Sequence, residues 1–164
     1  MKDYGKKFEK DFKDSMPSEV WYYRIKTRTT SYKGDSEIAD SICFRKPNLF
    51  IFELKSTKEK RLPFNMIRPN QIQGIRDAVS NYDVYGGILV QLREPYYHFY
   101  VPIEVLVEYI ENGHKSIKLK DIENDSRIIE VPFTVKRVTC QLDVNNLLDK
   151  ILGGNIWKAH WPQF

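Results

Sequence analysis

The chain has 164 residues, 41% of them hydrophobic and 29% charged, with a net charge of +4 and a pI near 8.9. That balance suits one folded, water-soluble domain over 1–164 with a short tail from about 154, and it excludes a disordered chain. No apolar run approaches the ~18 residues that cross a bilayer, and no apolar core follows the basic N-terminus, so neither a membrane anchor nor a secretion signal is expected.

In chain order, residues 5–16 read as a helix, with Tyr4, Phe8 and Phe12 four apart on a core-facing stripe and Glu9 at its edge; Pro17 ends it. Val20–Arg28 reads as a first strand, and Thr29–Glu37 as polar connection with Gly34-Asp35 as a turn. Ile38–Phe44 and Leu49–Lys55 are two apolar strands around a Pro47-Asn48 turn. Ser56–Pro69 is a basic loop around Leu62-Pro63-Phe64. Asn70 is placed to cap a helix to Asn81, with Ile72, Ile75 and Val79 on its apolar side. Tyr85–Arg93, with its unbroken Gly86–Val90 run, reads as a central strand, and Tyr96–Val101 as an aromatic one. A helix from Pro102 to Asn112 stops at Gly113, Ile128–Phe133 is a short strand or extended edge, and Asp143 caps a last helix through Leu152. The order predicts an α/β sandwich whose mixed central sheet of about five strands is flanked by helices.

The chemistry concentrates in the Ile38–Lys55 hairpin. With a turn over Arg45–Asn48, the numbers of facing residues sum to a constant. Ile42 then faces Ile51, and Asp40 faces Glu53 on the same side of the sheet. Lys55 points the same way, two residues on. Two carboxylates that close repel, so one keeps its proton unless a cation lies between them. Hard divalent ions such as magnesium take such oxygen ligands, and a lysine beside them steadies a phosphate or a developing negative charge. This is equipment for metal-assisted phosphodiester hydrolysis. The bland reading is a surface cross-strand ion pair, which the apolar residues around the charges disfavour.

Other chemistries find little support. His98, His114 and His160 lack nucleophile partners, Gly86-Gly87 precedes a strand rather than a helix, and Cys43 and Cys140 lack zinc spacing. Two such cysteines suit a reducing cytoplasm, and Cys43 reads as a small core residue. Basic residues gather as Lys6-Lys7-Lys10-Lys13, Arg24-Lys26-Arg28-Lys33, Lys55-Lys58-Lys60-Arg61 and Lys115-Lys118-Lys120. Around a hydrolytic site they read as a nucleic-acid footprint, with Lys6, Lys7, Arg28, Lys33, Lys58, Lys60, Arg61 and Arg68 as candidate DNA contacts.

Asp40-X12-Glu53-X-Lys55 resembles the PD-(D/E)XK nuclease signature, with Ala39 in place of its proline. The wider chain resembles the RecU family of Holliday junction resolvases, in a compact form carried by some phages. The resemblance rests on Gly5–Glu9, Ile51–Ser56, Leu62–Ile67 leading to Gln71-Ile72, Gly86–Val90 and Asn112–Ile117, and it runs from about residue 5 to 150. It implies a restriction-endonuclease-like fold and a homodimer that nicks four-way junctions symmetrically. Asp40 and Glu53 would then bind Mg2+, with Mn2+ substituting, and Glu9 would complete the metal site from the first helix. Lys55 would orient water or stabilise charge. Gln71 would position the water or Lys55, or is simply a capping or surface glutamine. No small-molecule cofactor is expected, and the location is the cytoplasm of a bacterium, or of the host cell if phage-encoded. Lys26–Glu37 is short where family members carry a longer stalk. Aromatic Val20–Arg24 and Tyr96–Tyr100 are candidate dimer surfaces, and Trp157 and Trp161 candidate anchors of the tail. The competing readings are a non-catalytic branched-DNA-binding recombination factor and a restriction-type duplex endonuclease.

Overall fold

The computed structural model describes residues 3–26 and 37–153. Arg28, Lys33, the Gly34-Asp35 turn, Trp157, His160, Trp161 and the tail lie outside the described residues. Helix α1 (Tyr4–Asp14) is followed by β1 (Trp21–Arg24), β2 (Ser41–Arg45), β3 (Asn48–Thr57) and β4 (Arg61–Pro63). A 3-10 turn at Phe64–Met66 leads to α2 (Pro69–Asn81), β5 (Val84–Arg93), β6 (Tyr96–Pro102) and α3 (Ile103–Glu111). Then come β7 (Ser116–Lys118), α4 (Leu119–Asn124), β8 (Ile129–Glu130), β9 (Phe133–Lys136), β10 (Thr139–Leu142) and α5 (Val144–Gly153).

One six-stranded sheet has the order β1-β2-β3-β5-β6-β8. Its β3–β5 pair is parallel and its other pairs are antiparallel, so the sheet is mixed, as predicted. The sixth strand is β8, which pairs with β6 at the edge. The hairpin register is the predicted one: Ile42 pairs with Ile51 and Phe44 with Leu49.

The sheet buries both faces of β3 and β5, which is why these strands read as continuous apolar runs. On one face Ile51, Ile88 and Val90 pack against Ile75 and Val79 of α2 and Ile103 and Leu106 of α3. On the other, Phe50, Phe52, Leu54 and Leu89 pack against Phe8 and Phe12 of α1 and Leu147, Leu148 and Ile151 of α5. Cys43 is a fully buried member of that second core. Gly86 sets the height of α2: a Cβ there would stand 2.6 Å from Ile75 Cγ2. The missing side chain lets the helix come down onto the sheet.

Three expectations change. Tyr4 keeps the four-residue spacing but is exposed, with its ring 4.1 Å beneath the Arg93 guanidinium, so a cation–π contact holds it instead of the core. Asn70 does not cap α2. Pro69 already occupies the first helical position, and the free N–H before it, that of Arg68, donates to Gln71 Oε1 at 3.0 Å. Tyr96–Tyr100 is mostly interior, since His98, Phe99 and Tyr100 are buried between β5, β8 and the helices.

Candidate active site

Glu53 lies at the middle of the sheet, on the face that carries α2. As a β3 residue between two paired strands it is 1% exposed. Its Oε1 accepts from Lys55 Nζ at 2.6 Å and from Gln71 Nε2 at 2.6 Å. Its Oε2 is buried without a hydrogen-bond partner. Gln71 is itself buried, and its amide oxygen is the acceptor that caps α2. One side chain thus starts the helix and orients the carboxylate, through the packing that Gly86 permits.

Asp40 sits immediately before β2. Its N–H donates to the Phe52 carbonyl at 3.1 Å, and its own carbonyl accepts from Ile25 N–H at 2.9 Å. Its Oδ2 accepts from Leu54 N–H at 2.7 Å. A side chain therefore takes a place in the ladder where backbone pairing ends, and this pins the carboxylate beside Glu53. Burial and the Asp40 charge push Glu53 up to about 7, against the opposing pull of Lys55.

The structure therefore gathers Asp40, Glu53, Lys55 and Gln71. Glu9 approaches from α1 on the far face and feels Asp40, but Arg24 of β1 holds it in an ion pair. Burial raises its pKa and Arg24 opposes the rise. Among the described residues no three His, Cys, Asp or Glu side chains gather as a metal-binding group. The carboxylate pair nonetheless fits a hard divalent ion, because such ions are often held by one or two carboxylates and keep waters and phosphate oxygens as other ligands. The unpartnered Glu53 Oε2 marks where positive charge is missing.

The predicted basic contacts divide. Lys6 and Lys7 stand on α1, where they pair with Asp3 and Asp11. Arg68 is exposed at the start of α2. Lys58, Lys60 and Arg61 follow the end of β3. Pairing of Arg61 with Lys118, across β4 and β7, brings the distant Lys118 and Lys120 beside them, and these five cations line one shallow groove with Glu59, which pairs with Arg61 at 2.6 Å. The later cluster is visible in the sequence, but its meeting with the first depends on two three-residue strands that no periodicity reveals.

His98 and His114 have structural surroundings. His98 is buried, its Nε2 3.1 Å from Gln91 Nε2, and burial lowers its pKa to about 4. His114 packs on the Tyr109 ring.

A family model described as Recombination protein U matches residues 8–140. The chain is 34% identical over 123 residues to YotM, an SPbeta prophage-derived uncharacterized protein of Bacillus subtilis (strain 168), with 70% of this chain and 63% of that protein covered. This chain thus spans less than two thirds of that relative's length. Among solved structures, Archaeoglobus fulgidus Hjc, described as a Holliday junction resolvase from an archaeal hyperthermophile, superposes with a TM-score of 0.55 at 14% identity, covering 77% of this chain and 95% of that one. At that identity the likeness is one of fold.

Proposed function

Because the chain belongs to the Recombination protein U (RecU) family, we propose that it is an endonuclease that resolves four-way DNA junctions, acting in the cytoplasm as a homodimer with one hydrolytic site per subunit. Two-fold protein symmetry would match the two-fold symmetry of a junction and place paired nicks on opposed strands. The observation that carries the reading is the buried Asp40–Glu53 pair with Lys55 and Gln71 locked onto one Glu53 oxygen and the other left unpartnered. A non-catalytic binder has no use for two carboxylates forced together.

Asp40 and Glu53 would hold magnesium, or manganese in its place, and Glu9 would join them through water once released from Arg24. A divalent ion there supplies Lewis-acid activation of a water and neutralises charge on the scissile phosphate. The remaining work falls to the chain itself. Leu54 N–H fixes the direction of Asp40, and Gln71 fixes that of Glu53. Lys55, with its ammonium at the carboxylate, stabilises negative charge that grows on the phosphate. Lys58, Lys60 and Arg61, together with Lys118 and Lys120, track the phosphates of one arm, with Arg68 at the start of α2.

The test is cleavage of a labelled four-way junction beside linear duplex and single strand of the same sequence, in magnesium, manganese and EDTA. Paired, metal-dependent nicks on the junction alone are expected. Cutting of linear duplex at a fixed sequence would replace the reading with a restriction-type nuclease, and tight junction binding without cleavage in either metal would leave a binding factor.

A further inference from the structure

The sheet face that carries the carboxylates also carries an aromatic surface that the hydrolytic residues do not use. In the β1–β2 pair, Trp21 faces Phe44 and Tyr23 faces Ile42. Ile42 in turn faces Ile51 of β3, so these side chains share the Glu53 side of the sheet. Tyr22 and Cys43 point the other way, into the core beneath α1. Helix α2 covers β3 and β5 on the Glu53 side, whereas the helix that packs on β1 is α1, on the opposite face. Trp21 is 57% exposed, Tyr23 50% and Phe44 38%. The Trp21 and Tyr23 rings lie nearly parallel, with centroids 5.9 Å apart and planes 12° apart. They make an exposed, parallel aromatic pair.

Its position relative to the site is set by register. Along the strand direction the order is Trp21 with Phe44, Tyr23 with Ile42, then Ile25 against Asp40, with Glu53 and Lys55 following Ile51 on β3, then the basic groove. The carboxylates lie between the aromatic surface and the cations. Tyr23 stands two residues along from the Asp40 position, about 7 Å, or roughly two nucleotide rises. A strand whose phosphate reaches Asp40 and Glu53, with its duplex arm over the basic groove, can run on over Tyr23 and then over Trp21, about 13 Å along from the Asp40 position.

We propose that Trp21 and Tyr23 form a stacking platform for a nucleobase at the branch point, beside the scissile phosphate. The inference rests on the junction-cleaving reading above and adds to it a source of selectivity. A base in continuous duplex is stacked on both faces and has none to offer, whereas a base at the strand exchange of an opened junction has lost one neighbour. An aromatic ring replaces that neighbour without regard to sequence, because every base has a π face.

The experiment measures affinity in EDTA, where cleavage is off, for a four-way junction and for linear duplex. It uses the wild type, Trp21→Ala and Trp21→Phe, and a junction with abasic nucleotides at the branch. Trp21→Ala is expected to bind the junction roughly tenfold more weakly with duplex binding unchanged, and Trp21→Phe to keep most of the affinity. The abasic junction should cost the wild type a similar factor and leave Trp21→Ala unaffected. Equal junction and duplex binding by Trp21→Ala and wild type, or an abasic penalty that persists in Trp21→Ala, would overturn the platform alone. Sedimentation of Trp21→Ala at half the wild-type mass would assign the rings to a second copy of this chain instead. A wild type with no preference for the junction would bring down the underlying reading, and this inference with it.

Discussion

Each face of the central sheet buries a titratable side chain, and the two have opposite consequences. On the α1 face His98 is sealed by Phe8 and Phe133 and hydrogen-bonded to Gln91. Burial lowers its pKa to about 4, so it is neutral at physiological pH, and a neutral imidazole is at home in a core. On the α2 face Glu53 is equally buried but sits against a second carboxylate, and its pKa rises to about 7. Burial and its neighbour resist its charging, and one of its oxygens is unpartnered. Burial of a base removes a charge quietly, whereas burial of an acid beside another acid builds a place for a cation.

The largest expected effect strikes the α2 face. Asp40→Asn and Glu53→Gln should each lower junction cleavage by more than about a hundredfold, while junction affinity in EDTA stays near wild type. Cleavage at the wild-type rate by either variant would remove that carboxylate from the mechanism. Lys55→Ala should lose a comparable factor in turnover if, as proposed, the cation acts where charge develops, again with affinity little changed.

Stability should move the opposite way. An acid whose pKa is raised on folding keeps its proton longer in the native state, so native stability falls as pH climbs from the unfolded value near 4.5 through about 7. Glu53→Gln should therefore be more stable than wild type in EDTA at pH 8, by about 1–3 kcal/mol in urea unfolding. Millimolar magnesium should stabilise the wild type and not the variant. No stabilisation by either route would mean that the carboxylates are not in repulsive contact.

His98 supplies the contrasting slope. A base whose pKa is lowered from 6.5 to about 4 adds stability above 6.5 that is lost as pH falls through 4. His98→Gln should flatten the loss of stability between pH 6.5 and 4 by about 1–2 kcal/mol and leave cleavage at pH 8 unchanged. A large fall in cleavage would break the division between a structural and a chemical face.

Much of this division was legible in the sequence. The hairpin register follows from counting across a two-residue turn, and it places Ile42 against Ile51 as observed. The opposite pointing of Phe50, Phe52 and Leu54 follows from a period of two. What escaped was set by tertiary contact. Strands β7, β9 and β10 and the six-residue α4 are too short for a period to show. Tyr4 fits the apolar stripe of α1 by spacing, yet it lies over Arg93 instead of the core. The hold of Arg24 on Glu9 joins a helix on one face to an edge strand, and no local pattern announces it. Gln71 was visible as a residue of a helix start. That its carbonyl caps the helix while its amide grips Glu53 needed the chain folded.

The smallest effect tests whether DNA lies on the α2 face alone. Lys118 and Lys120 reach the groove only through the β4–β7 pairing, so their alanine variants probe the fold as much as the charge. Each phosphate contact removed should weaken junction binding several-fold and lower the slope of log affinity against log salt by about one. The matching change on the other face, Lys7→Ala, deletes a cation already paired with the buried Asp11 of its own helix. It should leave the salt slope near wild type, because an ion pair satisfied within the protein releases few counterions from DNA. A slope that falls as much for Lys7 as for Lys118 would mean that DNA wraps the edge of the sheet and touches both layers. The α1 face would then belong to the interface rather than to the core alone.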